Sequence, residues 1–139
     1  MNIKDYGLKE NLIKKHEGQT IARIIATHKD RYEIVCNKGQ GYAQIKRGCY
    51  YDNPNSIYPT TGDFVIIEWN PNGDSMISET LKRESSFSRA ASTSDRNHTM
   101  HIQHEQLVAA NFDYVFIMQS LNNNFNLHRI ERYLSLTWE

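Results

Sequence analysis

The alternation of apolar and polar positions predicts five short strands in the first two thirds of the chain. Apolar and β-branched residues recur at every second position, and Gly, Pro, Asn and Asp collect between these runs, as is typical of strands joined by turns. The clearest turn is Asn-Pro-Asn-Gly at 70–73, because Asn and Gly tolerate a positive φ. The predicted strands are residues 20–27, 32–36, 42–46, 64–69 and 75–81.

Five short strands in succession predict a mainly β chain with a small closed barrel, since closure removes exposed strand edges. Five is the strand number of an OB-fold. An SH3-like barrel stays an alternative, because strand count alone does not separate the two. Before the barrel, Leu8, Leu12 and Ile13 have helical spacing and predict a short N-terminal helix over residues 4–16, ended near Gly18. A long loop is expected over residues 47–61.

The pattern changes after the fifth predicted strand. Residues 82–106 are polar and rich in Ser and Thr, which predicts a linker or a mobile loop. Residues 114–118 form a continuous apolar run, typical of a strand buried on both faces of a parallel sheet. Asn126 is placed to cap a helix, and the apolar positions of that helix are Leu127, Ile130, Leu134 and Trp138.

A strand followed by a helix is the start of a βαβ unit, which requires a second parallel strand. The chain ends before one could form, so we expect either a truncation or a partner surface that completes the unit. The predicted division is therefore a barrel domain over residues 1–88, a flexible linker over 89–106, and an incomplete α/β domain over 107–139.

Composition restricts the possible functions. The 139 residues carry no net charge, so attraction to nucleic acid would have to come from a local patch. The first residues are polar and no run approaches about 18 apolar residues, so no secretory leader and no membrane span are expected, and the predicted location is cytoplasmic. Cys36 and Cys49 have no metal-ligand spacing and are expected to be free thiols.

Four segments resemble the motifs of one known family. Residues 62–65 (G-D-F-V) look like a motif of its fourth barrel strand, and residues 83–89 (R-E-S-S-F-S-R) are similar to R-x-S-x-L-S-R, with Phe87 for the usual Leu. Residues 106–117 (Q-L-V-A-A-N-F-D-Y-V-F-I) and 125–134 (F-N-L-H-R-I-E-R-Y-L) look like its two most specific motifs. With these segments in this order, the chain resembles an N-terminal fragment of the RsgA (YjeQ) family of circularly permuted ribosome-assembly GTPases.

The resemblance implies an N-terminal OB-fold that binds the small ribosomal subunit and its rRNA. It also implies a GTPase domain that converts GTP to GDP and phosphate during late subunit maturation, with Mg and a structural Zn. The family's N-K-x-D, its G-x-x-x-x-G-K-[ST] phosphate loop and its Cys/His zinc cluster do not occur in these residues. The resemblance therefore implies activity for the full-length protein, whereas we expect no catalytic, cofactor-binding or metal-binding residue in this chain.

Binding to rRNA would require cations for the phosphates and exposed aromatic rings for the bases. Tyr50 and Tyr51 are candidate stacking residues, although they could simply pack the loop. His98, His101 and His104 are three residues apart, but no acidic or Cys ligand completes a metal site, so none is predicted. The candidate RNA-binding residues, any of which could instead be solvated surface, are Lys29, Arg31, Lys46, Arg47, Lys82, Arg83 and Arg89.

Two other functions fit the same pattern. The chain could be a stand-alone nucleic-acid-binding barrel unrelated to GTP, or a protein-interaction barrel that uses the unfinished strand and helix to dock on a partner. An unfinished strand and helix would expose apolar surface, so self-association is also expected.

Overall fold

A computed structural model describes residues 2–89, 106–121 and 126–138. The chain begins with a short 3-10 helix and ends with its longest helix. In chain order the elements are the 3-10 helix Ile3–Tyr6, α1 Glu10–Lys15, β1 Thr20–Thr27, β2 Tyr32–Cys36, β3 Gly39–Ile45, α2 Arg47–Tyr51, β4 Phe64–Glu68, β5 Ser75–Thr80, β6 Ser86–Arg89, β7 Gln106–Ala110 and α3 Leu127–Trp138.

Strands β1 to β5 close into a barrel in the order β1-β2-β3-β5-β4, and β4 pairs back onto β1. Four of the five pairings are antiparallel, whereas β3 and β5 run parallel through Ala43–Ser75 and Ile45–Ile77. This Greek-key order, with α2 between β3 and β4, is that of an OB-fold. The predicted OB-fold is confirmed, and the SH3-like alternative is set aside.

Consecutive strand residues enter two different apolar clusters, because successive side chains of a strand point to opposite faces. Ile34 lies in the cluster inside the barrel, and its neighbour Val35 lies in a second cluster outside it. The second cluster also contains Ile3 and Leu8, so the N-terminal segment covers this outer face. The two clusters explain why four consecutive residues of β4, 64–67, are apolar: Ile66 and Ile67 are both buried, one in each cluster.

The N-terminal helix predicted over residues 4–16 is not continuous. It is divided into the 3-10 helix and α1, because Gly7 adopts a φ of 87° and caps the first piece. The predicted loop over 47–61 also begins with a short helix, α2. The five predicted barrel strands are confirmed to within three residues at each end.

The polar segment 82–106, predicted as a linker or mobile loop, contains strand residues near both of its ends. Ser86–Arg89 forms β6 and pairs antiparallel with β7, with Phe87 opposite Ala109. The periodicity of so short a strand does not show in the sequence, and its partner is distant in the chain. Residues 90–105, the interior of the predicted linker, lie outside the described residues. The division into domains at 88 and 107 stays a prediction.

The predicted buried strand over residues 114–118 does not form. These residues have no regular secondary structure, and Tyr114, Phe116 and Met118 are 82%, 88% and 93% exposed. A strand requires a neighbour to satisfy its backbone, and none pairs with this segment among the described residues. The following helix does form, and Asn126 caps it by accepting a hydrogen bond from the Arg129 amide at 3.2 Å.

The two-stranded sheet is attached to the barrel through Asn111, directly after β7. Asn111 has a φ of 54°, and its side-chain amide donates to the Gly62 carbonyl at 3.1 Å. Its own carbonyl accepts from Arg23 Nη2 at 2.7 Å, and Arg23 also donates to the carbonyls of Gly62 and Tyr6. Burial among these groups lowers the pKa of Arg23. One half-buried guanidinium thus joins three segments. No helix in the described ranges is long and apolar enough to cross a bilayer.

Candidate nucleic-acid interface

The β1–β2 turn, the end of β3, α2 and Tyr58 together enclose a cavity of about 410 Å³. We call it the basic cavity, because it brings together three of the predicted RNA-binding cations. Its full lining is His28, Lys29, Asp30, Arg31, Tyr32, Gln44, Ile45, Arg47, Tyr51 and Tyr58. Residues close to one another in sequence at 28–32 are thereby joined to residues from β3 and the following loop.

The cations of the basic cavity have few acidic neighbours. Lys29, Arg31 and Arg47 line it with a single carboxylate, Asp30. Within the described ranges, none of the three cations forms an ion pair with a carboxylate. Arg31 lies over the ring of Tyr42, with its guanidinium carbon 3.8 Å from the ring centre, a cation–π contact that orients the charge without neutralising it. The cavity is therefore a local positive patch on a chain without net charge.

Two tyrosine rings are exposed beside these cations. Tyr51 is 70% exposed and Tyr58 is 51% exposed. The sequence predicts Tyr51 as a stacking residue, whereas it does not single out Tyr58. Tyr58 lies in a loop between Pro54 and Pro59. Its place in a Pro-containing loop is the one local signal that it could be exposed.

Tyr50, the other predicted stacking residue, is buried and packs inside the protein instead. Its ring centre lies 5.6 Å from that of Tyr58, and its hydroxyl shares a 2.8 Å hydrogen bond with Thr80 Oγ1. Burial raises the pKa of Tyr50 to about 12. Tyr50 is therefore buried against the ring of Tyr58 and is not exposed beside the cations of the basic cavity.

Arg83 is a predicted RNA contact, but its side chain has partners inside the protein. Nε and Nη2 donate to the two carboxylate oxygens of Asp63 at 2.8 and 2.6 Å, and Asp63 is fully buried. Nη2 also donates to the Tyr58 carbonyl at 2.9 Å. Asp63 in turn accepts from the Thr60 amide at 2.8 Å. This bidentate pair holds the loop that carries Tyr58, so we leave Arg83 out of the proposed contact surface.

Lys46 and Lys82, two other predicted cations, do not line the basic cavity. Lys46 forms a 2.7 Å ion pair with Glu68, and hydrogen bonding to that carboxylate raises the pKa of Lys46. Lys82 lines a separate cavity of about 310 Å³ together with Lys9 and Arg23. Arg89 lies in β6, and its side chain falls outside the described part of the structure, as do His98, His101 and His104.

Both cysteines are free, as the sequence predicts. Cys36 is buried in the barrel core and Cys49 is exposed on α2. Among the described residues no three His, Cys, Asp or Glu side chains are grouped to hold a metal ion. The sequence also contains no phosphate loop to bind GTP and its Mg.

Comparison with curated proteins finds RsgA proteins among the relatives of this chain. The chain is 36% identical over 141 residues to small ribosomal subunit biogenesis GTPase RsgA 1 of Listeria monocytogenes, covering all of this chain and 37% of that protein. It is 40% identical over 124 residues to RsgA 2 of Vibrio parahaemolyticus, covering 89% of this chain and 30% of the relative. The matched region is the N-terminal part of these proteins. Over its whole length the chain is similar to the N-terminal part of RsgA proteins.

The chain spans little more than a third of the length of the relatives it matches. Among solved structures, it is similar to YjeQ from Thermotoga maritima, with a TM-score of 0.56 and 17% identity over 86% of this chain and 37% of that one. It is also similar to YloQ, a circularly permuted GTPase, with a TM-score of 0.51 and 17% identity over 87% of this chain and 37% of that one. These likenesses support the fold. No family model matches the chain.

Proposed function

We propose that this chain is the rRNA-binding N-terminal part of a ribosome-assembly GTPase and holds the small ribosomal subunit through the basic cavity. The observation that carries this proposal is the grouping of Lys29, Arg31 and Arg47, none of which forms an ion pair with a described carboxylate, beside two exposed tyrosine rings. Cations of this kind neutralise phosphates and release their counterions. The names of the relatives, small ribosomal subunit biogenesis GTPases, support the ribosomal subunit as the partner.

We also propose that the full-length protein hydrolyses GTP to drive late subunit maturation and that these 139 residues do not. The chain contains no nucleotide-binding motif of the family. Titration of the chain with fluorescent GTP should give no saturable signal. A saturable signal that unlabelled GTP displaces would contradict the proposal.

The subunit-binding proposal is tested by co-sedimentation with small ribosomal subunits over a range of salt concentrations. Lys29→Ala, Arg31→Ala and Arg47→Ala combined should weaken binding at least about tenfold and reduce the salt dependence of log K by about 2, since each phosphate contact contributes about 0.7 on single-stranded RNA. The matched control removes three exposed lysines elsewhere, Lys14, Lys15 and Lys38, for the same change in charge.

Two results would contradict the proposal. If both triple variants lose the same affinity, only net charge matters and the basic cavity is not the interface. If the unaltered chain sediments equally with and without ribosomal subunits at all salt concentrations, the chain is not a subunit-binding barrel.

We propose in addition that the chain self-associates through residues 114–121. Tyr114, Phe116, Met118 and Leu121 are all highly exposed large apolar residues within this short segment. Large apolar side chains exposed together can mark a protein–protein contact or cause aggregation.

A further inference from the structure

We propose that the basic cavity recognises unpaired nucleotides, whose bases stack on Tyr58 and Tyr51, and does not bind the backbone of a duplex. This inference rests on the proposed rRNA-binding function and adds the class of RNA. Duplex RNA buries its base faces in the helix and presents phosphates and 2′-hydroxyls, which an aromatic ring contacts poorly. Two exposed rings in one cavity therefore favour a strand whose bases are free.

The ring of Tyr58 is held in place before any ligand arrives. The buried ring of Tyr50 packs against it, and the Tyr58 carbonyl accepts a hydrogen bond from Arg83. Arg83 is itself held by both oxygens of the buried Asp63. A side chain ordered in advance loses less conformational entropy on binding, so more of the stacking free energy appears as affinity. Arg83 is then a positioning residue for Tyr58.

The cations around the rings fit the backbone of an extended strand. Lys29 and Arg31 lie on the β1–β2 turn and Arg47 lies at the start of α2, so they approach the cavity from two separate segments. The cavity volume of about 410 Å³ is within the range of about 300–1,000 Å³ that small ligands occupy, and one or two nucleotides are ligands of that size. Stacking tolerates any base, so we expect little sequence preference.

The test compares two labelled probes by fluorescence anisotropy at one salt concentration. One is a 12-nucleotide RNA without secondary structure, and the other is a 12-base-pair RNA duplex. Tyr58→Leu and Tyr51→Leu should each weaken binding of the unpaired probe by about 5- to 100-fold and leave duplex binding within about twofold. Tyr58→Phe keeps the ring and should bind as the unaltered chain does. Tyr133→Leu, at an exposed tyrosine on α3 outside the cavity, is the matched control.

Arg83→Lys tests the positioning role of Arg83. Lysine keeps the positive charge, but its single nitrogen cannot make the two bonds to Asp63 together with the bond to the Tyr58 carbonyl. The variant should reduce affinity for the unpaired probe and leave duplex affinity unchanged in a chain that melts cooperatively. If the variant binds the unpaired probe normally, the positioning role is overturned. If it fails to fold, the tyrosine variants still decide the stacking proposal.

The outcomes separate this inference from the function on which it rests. If both probes bind equally and the tyrosine variants change neither affinity, stacking is overturned. If the triple variant of Lys29, Arg31 and Arg47 still binds more weakly in that case, the proposal that the basic cavity binds rRNA stands. If the unaltered chain binds neither probe nor ribosomal subunits, the proposed function itself fails.

Discussion

Gly62 occupies a position where no other residue fits. A Cβ atom built there would lie 2.0 Å from the Ala110 carbonyl oxygen, and φ is +95°, a region that side chains disfavour. Gly18 has a similar φ of +83°, but a Cβ atom added there would have nothing within 4 Å. The two glycines therefore separate the cost of backbone strain from the cost of a steric overlap.

Gly62→Ala should destabilise the chain far more than Gly18→Ala. We expect the free energy of unfolding to fall by about 1 kcal/mol for Gly18→Ala, from backbone strain alone. Gly62→Ala should lose about 1–3 kcal/mol more, because the methyl group forces the barrel and β7 apart. Urea denaturation followed by circular dichroism measures both. Equal losses in the two variants would mean that β7 does not pack on Gly62 in solution.

Side-chain chemistry was predictable from the sequence only where it depends on residue type. Cations in turns are solvent-exposed, so the sequence alone identifies Lys29 and Arg31 as candidate ligand contacts. Arg83 looks the same in sequence, but in the fold it pairs with Asp63, 20 residues earlier. Tyr50 and Tyr51 are neighbours with the same side chain, yet one is buried and the other exposed. Only the direction of each side chain from α2 separates them.

The attachment of the β6–β7 sheet to the barrel depends on Asn111. Its side chain donates to the Gly62 carbonyl, and its Oδ1 accepts from the Glu84 amide at 2.9 Å, so it joins β7, the barrel and the segment before β6. Asparagine also tolerates the positive φ at this position better than most residues do.

Asn111→Gly should loosen this attachment, because glycine accepts the backbone conformation but makes neither side-chain bond. We expect amide hydrogen exchange in Ser86–Arg89 and Gln106–Ala110 to accelerate about tenfold, since each lost bond contributes about 0.5–1.5 kcal/mol. Exchange in the barrel strands should stay unchanged. Asn72→Gly, in the turn between β4 and β5, is the control. Unchanged exchange in β6 and β7 would contradict the role of Asn111.

Elements differ in how far their own sequence determines them. The five barrel strands are rich in β-branched and aromatic residues and are separated by turn residues, so their positions are predicted correctly. The apolar run at 114–118 has the same local preference but no neighbouring strand among the described residues, and it stays irregular. β-structure depends on pairing between segments, whereas α3 satisfies its backbone within itself and forms as predicted.

The exposed segment 114–121 predicts a concentration-dependent association of whole chains. Phe116→Asp should shift the monomer–oligomer equilibrium toward monomer, because it places a charge in a patch that must lose water on association. Sedimentation velocity over a range of concentrations measures the shift. Ile57→Asp, at an apolar residue that is 42% exposed elsewhere, should leave the equilibrium unchanged. A chain that sediments as a monomer at every concentration would contradict the proposal.

The sequence by itself determined the order of strands, the family motifs and the residue types available for RNA. Local periodicity and turn chemistry carry that information, because they depend on neighbours in the chain. The tertiary structure decided which of these residues meet. In the fold, Lys29, Arg31 and Arg47 line the same cavity as Tyr58. Arg83 and Tyr50 instead contact Tyr58 from inside the protein. Barrel closure brings distant segments together, and no local pattern records those contacts.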